Sequence, residues 1–551
     1  MKMNNQVKGD VLLLQPWIED FYATDCRSLP LGLAYLAGSI KKSLPGQSVY
    51  LYDFFSAHRR KTLPYPKEFQ YLKRYYGTYE KSPSALFHNY YRFGVVEEAI
   101  VKNLQKHNPF LIGISSLFSP YYREALALAA LCKRLFPDTP VVFGGNHASL
   151  SPETLLLRTN DDATSGFSGD FVIRGEGEKS IVDLIQALLG GGVPEAVAGV
   201  VSRDTLNSYA ASSLHPLDRD ETPFPDYCNL DLRQYTYKRK PMAFLLTSRS
   251  CPHHCDFCTI HAVFGRRYTV RSNDDIIAEI CHFYNRGVRH FDIEDDNFSF
   301  QQKKCGDLLD RIVQLNLEDV GFSAMNGLSY HTLTFTLLEK MKAAGFTDLN
   351  LSLVCSQERL LEMSQRPKSG EHLENVLNNA DVLGLHVVVY FIIGLPIQTL
   401  EDAVETLCYL AQKKCLIGPS PFYMTPKSAL HRKYHGTDAL QPASSGKDIC
   451  FSARLSALDN EKPGFGRDEL YTVFRLTRVI NYLKRLIDQG VSPDAEPFVG
   501  AVRALARGEW ETHIEHGTAP PFSPAVHRLL LGSFTGVQGS KTRTSYDFLL
   551  K

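Results

Sequence analysis

The chain has 551 residues, 44% of them hydrophobic and 11% aromatic, which is more than one ordinary core holds and enough for about two to four domains. Lys+Arg and Asp+Glu both number 60, a balance that does not advertise a nucleic-acid or acidic-membrane binder. The sequence opens on no basic stretch followed by an apolar one, and no apolar run reaches about 18 residues, so the expectation is a cytoplasmic protein with no transmembrane segment.

In chain order, residues 11–14 are a short apolar run ahead of Gln15-Pro16, read as a buried strand and a turn. Residues 31–42 have helical spacing and residues 49–52 form a second strand. Further strands are expected at 111–115, 141–145 and 171–173, with helices at 121–136 and 180–189 between and after them. Strands alternating with helices at this spacing predict a doubly wound, Rossmann-like parallel sheet, whose ligands lie at the carboxyl ends of the strands. Ser115, Ser116, Gly144, Gly145, Asn146, His147, Gly175, Glu176 and Gly177 all follow strands directly. Glycines there admit a large flat ligand to the backbone, and small hydroxyls can bond its amides. Residues 57–94 form an insert rich in tyrosine (65, 71, 75, 76, 79, 90, 91), read as a lid or docking surface, or as an aromatic cluster packed on the sheet.

Residues 214–240 carry three prolines and little periodicity, so the first domain is taken as 1–205 and the linker as 206–240. Next comes an apolar run at 243–246, and then Cys251-Pro-His-His-Cys255-Asp-Phe-Cys258 on the loop that leaves it. Three thiolates can hold three irons of a [4Fe–4S] cluster, because soft sulfur suits iron, and the fourth iron is left open to a small molecule. A zinc site completed by His253, His254 or His261 is the alternative reading. Strands are expected at 290–294, 320–324, 349–353, 387–393 and 418–423, with helices at 273–285, 301–315, 332–344 and 370–383 between them. This run of β/α units fits a partial (β/α)6 barrel or a second doubly wound sheet, with functional groups at the strand C-termini in either case. Amphipathic stretches at 464–488 and 498–510 suggest a small helical C-terminal domain over 431–551, capping the barrel mouth.

The CxxxCxxC spacing with Phe257 before its last cysteine resembles the radical S-adenosylmethionine (SAM) superfamily. The segments LPLGLAYLAG, VVFGGNHASLSPE and FVIRGEGE ahead of it resemble the cobalamin (B12)-binding domain of B12-dependent radical SAM proteins, the class B methyltransferase-like group. The resemblance covers about residues 10–430. It implies an N-terminal cobalamin-binding domain, a TIM-type radical SAM barrel over 241–430, and three cofactors: a [4Fe–4S] cluster on Cys251, Cys255 and Cys258, SAM, and cobalamin. For SAM it implies contacts from Phe257, from Glu294, Asp295 and Asp296 where the family often has Gly-Gly-Glu, and from Ser352 and Arg366. The 390–397 stretch resembles the adenine-binding Gly-x-Ile-x-Gly-x-x-Glu pattern, so Ile392 and Gly394 are carried over. Tyr390 replaces the first glycine and Ile397 the acid. The nine residues at the strand ends of the first domain become the cobalamin contacts. None of the 18 histidines has an aspartate two residues before it, so the implied cobalamin is base-off without a histidine ligand, and His147 is the one tempting exception.

The function so implied is reductive cleavage of SAM to a 5′-deoxyadenosyl radical, with methyl transfer to an unactivated carbon. The alternatives are non-methylating chemistry on the same parts (oxidative cyclisation, ring contraction, carbon–carbon bond formation) and a cobalamin- or cluster-binding regulator without turnover. An oxygen-sensitive cluster implies an anaerobic setting and a flavodoxin or ferredoxin as electron donor. The substrate class stays open among small molecules, lipids and peptides.

Overall fold

A computed structural model describes residues 9–21, 29–55, 60–76, 87–157, 168–208, 222–368, 371–435, 448–458, 465–507 and 523–540. Tyr79 of the insert, residues 209–221 of the linker and residues 508–510 of the last expected helix lie outside the described residues.

The first apolar run becomes β1 (Asp10–Gln15), whose Val11, Leu12, Leu13 and Leu14 are fully buried. A strand covered on both faces by helices needs apolar side chains at every position, which is why this one reads as a continuous run. The chain continues through β2 (Ile18–Asp20), β3 (Val49–Asp53), β4 (Arg60–Leu63), β5 (Tyr90–Phe93), β6 (Pro109–Ser115), β7 (Val141–Gly144), β8 (Phe171–Ile173) and β9 (Val200–Ser202). The main sheet has the order β3-β1-β6-β7-β8-β9, parallel except for β9. Its five parallel strands follow the flavodoxin-like order, whose direction reverses between β1 and β6; ligands of such sheets lie beside that point, at the carboxyl ends. The helices Leu31–Ser43 and Gly177–Gly190 pack against each other. Gly191 ends the second of them in the left-handed conformation at φ +69°, where a side chain would be strained.

The insert is neither a free lid nor only a cluster on the sheet. β5 pairs antiparallel with β4 on one side and with β2 on the other, as a separate three-stranded sheet. Its tyrosines turn towards the C-terminal part of the chain. Tyr75 donates to Asp468 Oδ1 at 2.6 Å, Tyr71 donates to the Ala457 carbonyl, and Phe69 stacks on Phe451 with ring centroids 5.0 Å apart.

The second half begins with the hairpin β10 (Thr236–Tyr237) and β11 (Lys240–Leu245), then the short pair β12 (Ser248–Arg249) and β13 (Thr269–Val270). β14 (His290–Ile293) and β15 (Gly321–Ser323) extend β11 as parallel strands; β16 (Asp348–Val354), β17 (His386–Ile393) and β18 (Leu416–Pro421) form a second parallel group. Parallel bridges from Phe322 to Phe346 and from Leu328 to Leu351 join the two groups. The six strands β11, β14, β15, β16, β17 and β18 therefore run side by side as an open half-barrel, and all six were expected.

The helix Arg467–Asp488 lies along β18, the outermost strand. Asn481 on it accepts from Ile417 N at 3.0 Å and donates to Ile417 O at 2.8 Å, so an amide side chain closes the unpaired edge. Lys484, also buried, donates to the carbonyls of Ala411, Lys413 and Gln538.

Candidate active site

The chain leaves β11 at the carboxyl end of the half-barrel and is forced into a tight loop. Ser250 adopts φ +67° and its hydroxyl donates to the Gly265 carbonyl at 2.8 Å. A turn follows in which Cys258 N donates to Cys255 O at 3.1 Å. The result places Cys255 in the interior, Cys251 half-buried and Cys258 exposed. Asn297 Nδ2 donates to Cys251 Sγ at 3.7 Å, and Arg366 Nη1 donates to Cys255 Sγ at 3.5 Å. The protein packed around the Cys258 sulfur raises its thiol to about 11, a shift that a bound metal would reverse.

His261 Nε2 bonds the Cys251 carbonyl at 2.6 Å. Among the described residues no three His, Cys, Asp or Glu groups converge as they would around one metal ion. Three sulfurs set on a loop, with an amide and a guanidinium donating to them, are instead a donor set suited to an iron–sulfur cluster, whose ligands stand further apart.

Around this loop the expected SAM residues divide. Asp296 is exposed at the mouth, where crowding by protein, and then the neighbouring Asp295, raises its carboxyl to about 6. Glu294 is half-buried, with its backbone nitrogen on the Leu245 carbonyl at 2.9 Å and its own carbonyl accepting from Asn326 at 2.9 Å. Asp295 does not face a ligand. Its carboxylate is buried and accepts from Thr247 N at 2.7 Å, Thr247 Oγ1 at 2.5 Å and Ser248 Oγ at 2.6 Å, tying the ends of β11 and β14 together.

Arg366 bridges the cluster loop and β16, since its Nη2 donates to the Ser352 carbonyl at 3.1 Å. A Cβ at Gly327 would stand 2.5 Å from Ser352 Oγ, so a glycine is what lets that hydroxyl lie there. Phe257, Ile392 and Ile397 pack on one apolar cluster built from Val354, Leu360, Leu361, Leu395 and Phe422. Gly394 turns at φ +87°. The group that holds this turn was missed in the sequence. Gln398, 1% exposed, accepts from Gly394 N at 2.7 Å and donates to Ile392 O at 3.1 Å. The acid was sought one residue earlier, at Ile397, and an amide one position on does the holding.

Facing this mouth are the carboxyl ends of the N-terminal sheet. Ser115 is half-buried, whereas Ser116 is buried with a hydroxyl that has no hydrogen-bond partner among the described residues. Gly145 stands at φ +118°, and a Cβ there would meet the Ser116 carbonyl oxygen at 2.6 Å. Gly144 has nothing within 4 Å of the position a Cβ would take, so its face is open. Asn146 is half-buried at the start of the helix Asn146–Leu150. Past Ser116 come Leu117, 43% exposed, and Phe118, 59% exposed, an apolar lip that sequence reasoning overlooked. An orphaned hydroxyl, an open glycine and exposed hydrocarbon at a topological switch point fit a large, flat, partly apolar ligand.

Four of the expected contacts serve otherwise. His147 is fully buried, with Nδ1 3.1 Å from Ser119 Oγ and Nε2 2.9 Å from Thr154 Oγ1, so neither nitrogen is available to a ligand. Glu176 pairs with Arg249 Nη1 at 3.2 Å. A Cβ at Gly177 would meet Leu36 Cδ2 at 3.1 Å, so Gly177 serves helix packing. Gly175, at φ +73°, donates its N–H to Ser149 Oγ at 2.9 Å.

Residues 245–410 match the family model of the Radical SAM superfamily, and residues 87–185 match that of the B12 binding domain. The chain is 29% identical over 312 residues to an uncharacterized methyltransferase, PH0819, of Pyrococcus horikoshii, a match that covers 56% of this chain and 65% of that protein. It is 26% identical over 420 residues to the cytidylyl-2-hydroxyethylphosphonate methyltransferase of Streptomyces wedmorensis, covering 70% and 73%. In fold it is similar to the radical SAM methyltransferase TsrM of Kitasatospora setae, with TM-score 0.59, 15% identity and 96% of each chain covered. It is likewise similar to the cobalamin-dependent radical SAM enzyme OxsB, with TM-score 0.59, 15% identity, and 98% of this chain and 79% of that one covered. Two independent matches, in the order in which the structure places the two domains, lead to one assignment: the chain carries a B12-binding domain ahead of a radical SAM domain.

Proposed function

We propose that this protein is a cobalamin-dependent radical SAM methyltransferase that alkylates an unactivated carbon. The observation that carries the reading is the apposition of two ligand-binding strand ends: the three-cysteine loop at the carboxyl end of β11 is tied through Arg249 to Glu176 and Glu178 at the carboxyl end of β8. A substrate between them meets both sides at once. A cluster with SAM on one side and a corrinoid on the other supply, when bound, a one-electron route to a carbon radical and a methyl group to quench it.

The chain's own residues have clear tasks in this scheme. Cys251, Cys255 and Cys258 would hold the cluster, with Asn297 and Arg366 donating to the sulfurs. Phe257, Ile392 and Ile397 would wall an adenine, and Gln398 keeps the Gly394 turn in shape against it. Asp296, exposed at the mouth, would pair with the SAM ammonium, and the Ser352 hydroxyl would reach its ribose or carboxylate. Ser115, Ser116, Gly144, Gly145 and Asn146 would receive the corrin, with Leu117 and Phe118 against its hydrocarbon. A reactive alkyl radical requires that bulk water be kept from the space between the two sides.

The substrate is a small molecule, lipid or peptide, and a flavodoxin or ferredoxin would supply the electron. No helix of the described residues is long and apolar enough to cross a membrane. Relatives include a protein named anaerobic magnesium-protoporphyrin IX monomethyl ester cyclase, 25% identical over 283 residues, so methyl transfer needs a direct test.

That test is anaerobic purification from cells supplied with iron and hydroxocobalamin, followed by ultraviolet–visible spectroscopy and assay of 5′-deoxyadenosine on reduction. The expected result is a cluster, stoichiometric cobalamin and deoxyadenosine, with methylated product once substrate is supplied. Cluster without cobalamin would remove the methyl assignment. Cys255→Ala should lose both iron loading and SAM cleavage, because no other thiol stands on the loop to replace it; cleavage retained in that variant would sink the core reading.

A further inference from the structure

The contact between the two halves of the molecule is unusually directional at one point. Arg249 closes β12, two residues before Cys251, and its Nη1 lies 3.2 Å from Glu176 Oε1 while its Nη2 reaches Glu178 Oε1. The three side chains are only 11%, 10% and 7% exposed. Tyr35 of the N-terminal domain lies with its ring centroid 5.3 Å from the same guanidinium. Arg271, the next cation along this seam, is occupied by Asp275, by Glu279 at 2.6 Å and by the Leu246 carbonyl at 2.7 Å, so it does not compete for the two glutamates.

A buried ion pair adds little net stability over an apolar contact of equal size, because both charges are first stripped of water. What it adds is geometry. A planar guanidinium with two N–H groups committed to two carboxylates fixes both a distance and an angle, where hydrocarbon surfaces would slide. Both ends of this contact sit near ligand positions. Glu176 and Glu178 follow β8, whose last residue Ile173 pairs with Gly144, and Arg249 leads directly into the cysteine loop.

We propose that Arg249, Glu176 and Glu178 form a positioning strut that sets the separation and angle between the two cofactor sites, a role that rests on the two-cofactor reading above. The three are positioning residues, acting on the reaction through the loops they hold. Without the strut the two domains would still associate, as domains in one chain do through modest, mobile interfaces, but the distance across the reaction chamber would cease to be single-valued.

The experiment is pulsed electron paramagnetic resonance on the full-length holoprotein, with the cluster reduced and the cobalamin as cob(II)alamin, so that each cofactor carries one spin. The wild type should give a narrow distance distribution. Glu178→Gln, distant in sequence from the cysteines, should keep its iron and cobalamin content while the distribution broadens about twofold or more, as for a released interdomain contact. Glu178→Asp keeps the charge, and with it the fold, but withdraws the carboxylate by one methylene and should displace the mean distance. A merely structural role would lower the melting temperature and leave the distribution in place. An unchanged distance and width in both variants would overturn the strut. A wild type that holds both cofactors at widely distributed distances would do the same, while the two-cofactor reading stood. A wild type that loads a cluster and no cobalamin would overturn the reading, and the strut with it.

Discussion

Thr154 gives its hydroxyl proton to the Ser151 carbonyl at 2.7 Å, so towards His147 it accepts, and Nε2 of the imidazole is the donor at 2.9 Å. Nδ1 is left to accept from Ser119 Oγ at 3.1 Å, which makes the ring a neutral tautomer, and burial lowers its pKa to about 3. The consequence for stability has a definite sign. Between pH 6.5 and about 3 the unfolded chain binds a proton at this histidine and the folded chain does not, so folding loses free energy as the pH falls through that window, by at most about 1.4 kcal/mol per unit. Glu124 and Asp53, raised by burial to about 8 and about 7, act in the opposite sense: their folded forms keep a proton that the unfolded chain releases, so they cost stability as the pH rises. The His147 contribution is isolated by difference. In urea unfolding at pH 7, 6 and 5, the stability advantage of wild type over His147→Gln should shrink steadily with acidification. A constant difference would mean that the imidazole titrates normally and is open to a ligand after all.

At the level of elements, what could be read from the sequence followed from burial. β11 and β17 lie inside the half-barrel and announced themselves as apolar runs, whereas β14 and β16 showed as alternations of polar and apolar residues. β4 (Arg-Lys-Thr-Leu) is largely exposed and exists because β5 pairs with it, which local composition does not encode. The cysteine loop was legible because three sulfurs at fixed spacing carry their chemistry with them. Asp295 and His147 were misread for the opposite reason. An acid or an imidazole at a strand end looks like a ligand until its partners are known, and Thr247 lies 48 residues from Asp295. The edge of β18 was equally invisible, since Asn481, which closes it, is 64 residues downstream of Ile417. Asn481→Ala would leave the Ile417 N–H and C=O buried and unpaired, at about 1–3 kcal/mol for each group. In hydrogen exchange the Ile417 amide should lose its protection along with that of the helix Arg467–Asp488. Protection of Ile417 equal to wild type would show that packing alone seals the edge.

The whole molecule is closed by a return of the chain. After the half-barrel, residues 448–458 come back to the N-terminal domain, and a single buried cation gathers the pieces there. Arg454 donates to the Glu19 carbonyl at 2.9 Å, to the Pro120 carbonyl at 2.7 Å and to the Phe451 carbonyl at 3.1 Å, reaching β2, the turn after β6 and its own segment together. The rings of Phe69, Tyr121 and Phe451 lie within 4.7 to 5.6 Å of its guanidinium. The Pro120 turn follows directly on Leu117 and Phe118, so the contact also supports the apolar lip of the N-terminal site. Arg454→Met keeps the volume and the ring contacts but leaves three buried carbonyls without their donor, and removes the charge nearest Glu124 and Asp20. The expected loss is about 3–5 kcal/mol, the scale for deleting one partner of a buried ionic group. Arg454→Lys should fall between, because one ammonium cannot span three acceptors that a planar fork reaches. Limited proteolysis separates the two ways of losing stability. If the return segment is what Arg454 docks, cleavage should concentrate in residues 448–458 while the half-barrel stays intact. A global drop in melting temperature without that local cleavage would place the cation in the core of the N-terminal domain instead, and the closure of the molecule would then rest on Tyr75–Asp468 and the helix Arg467–Asp488.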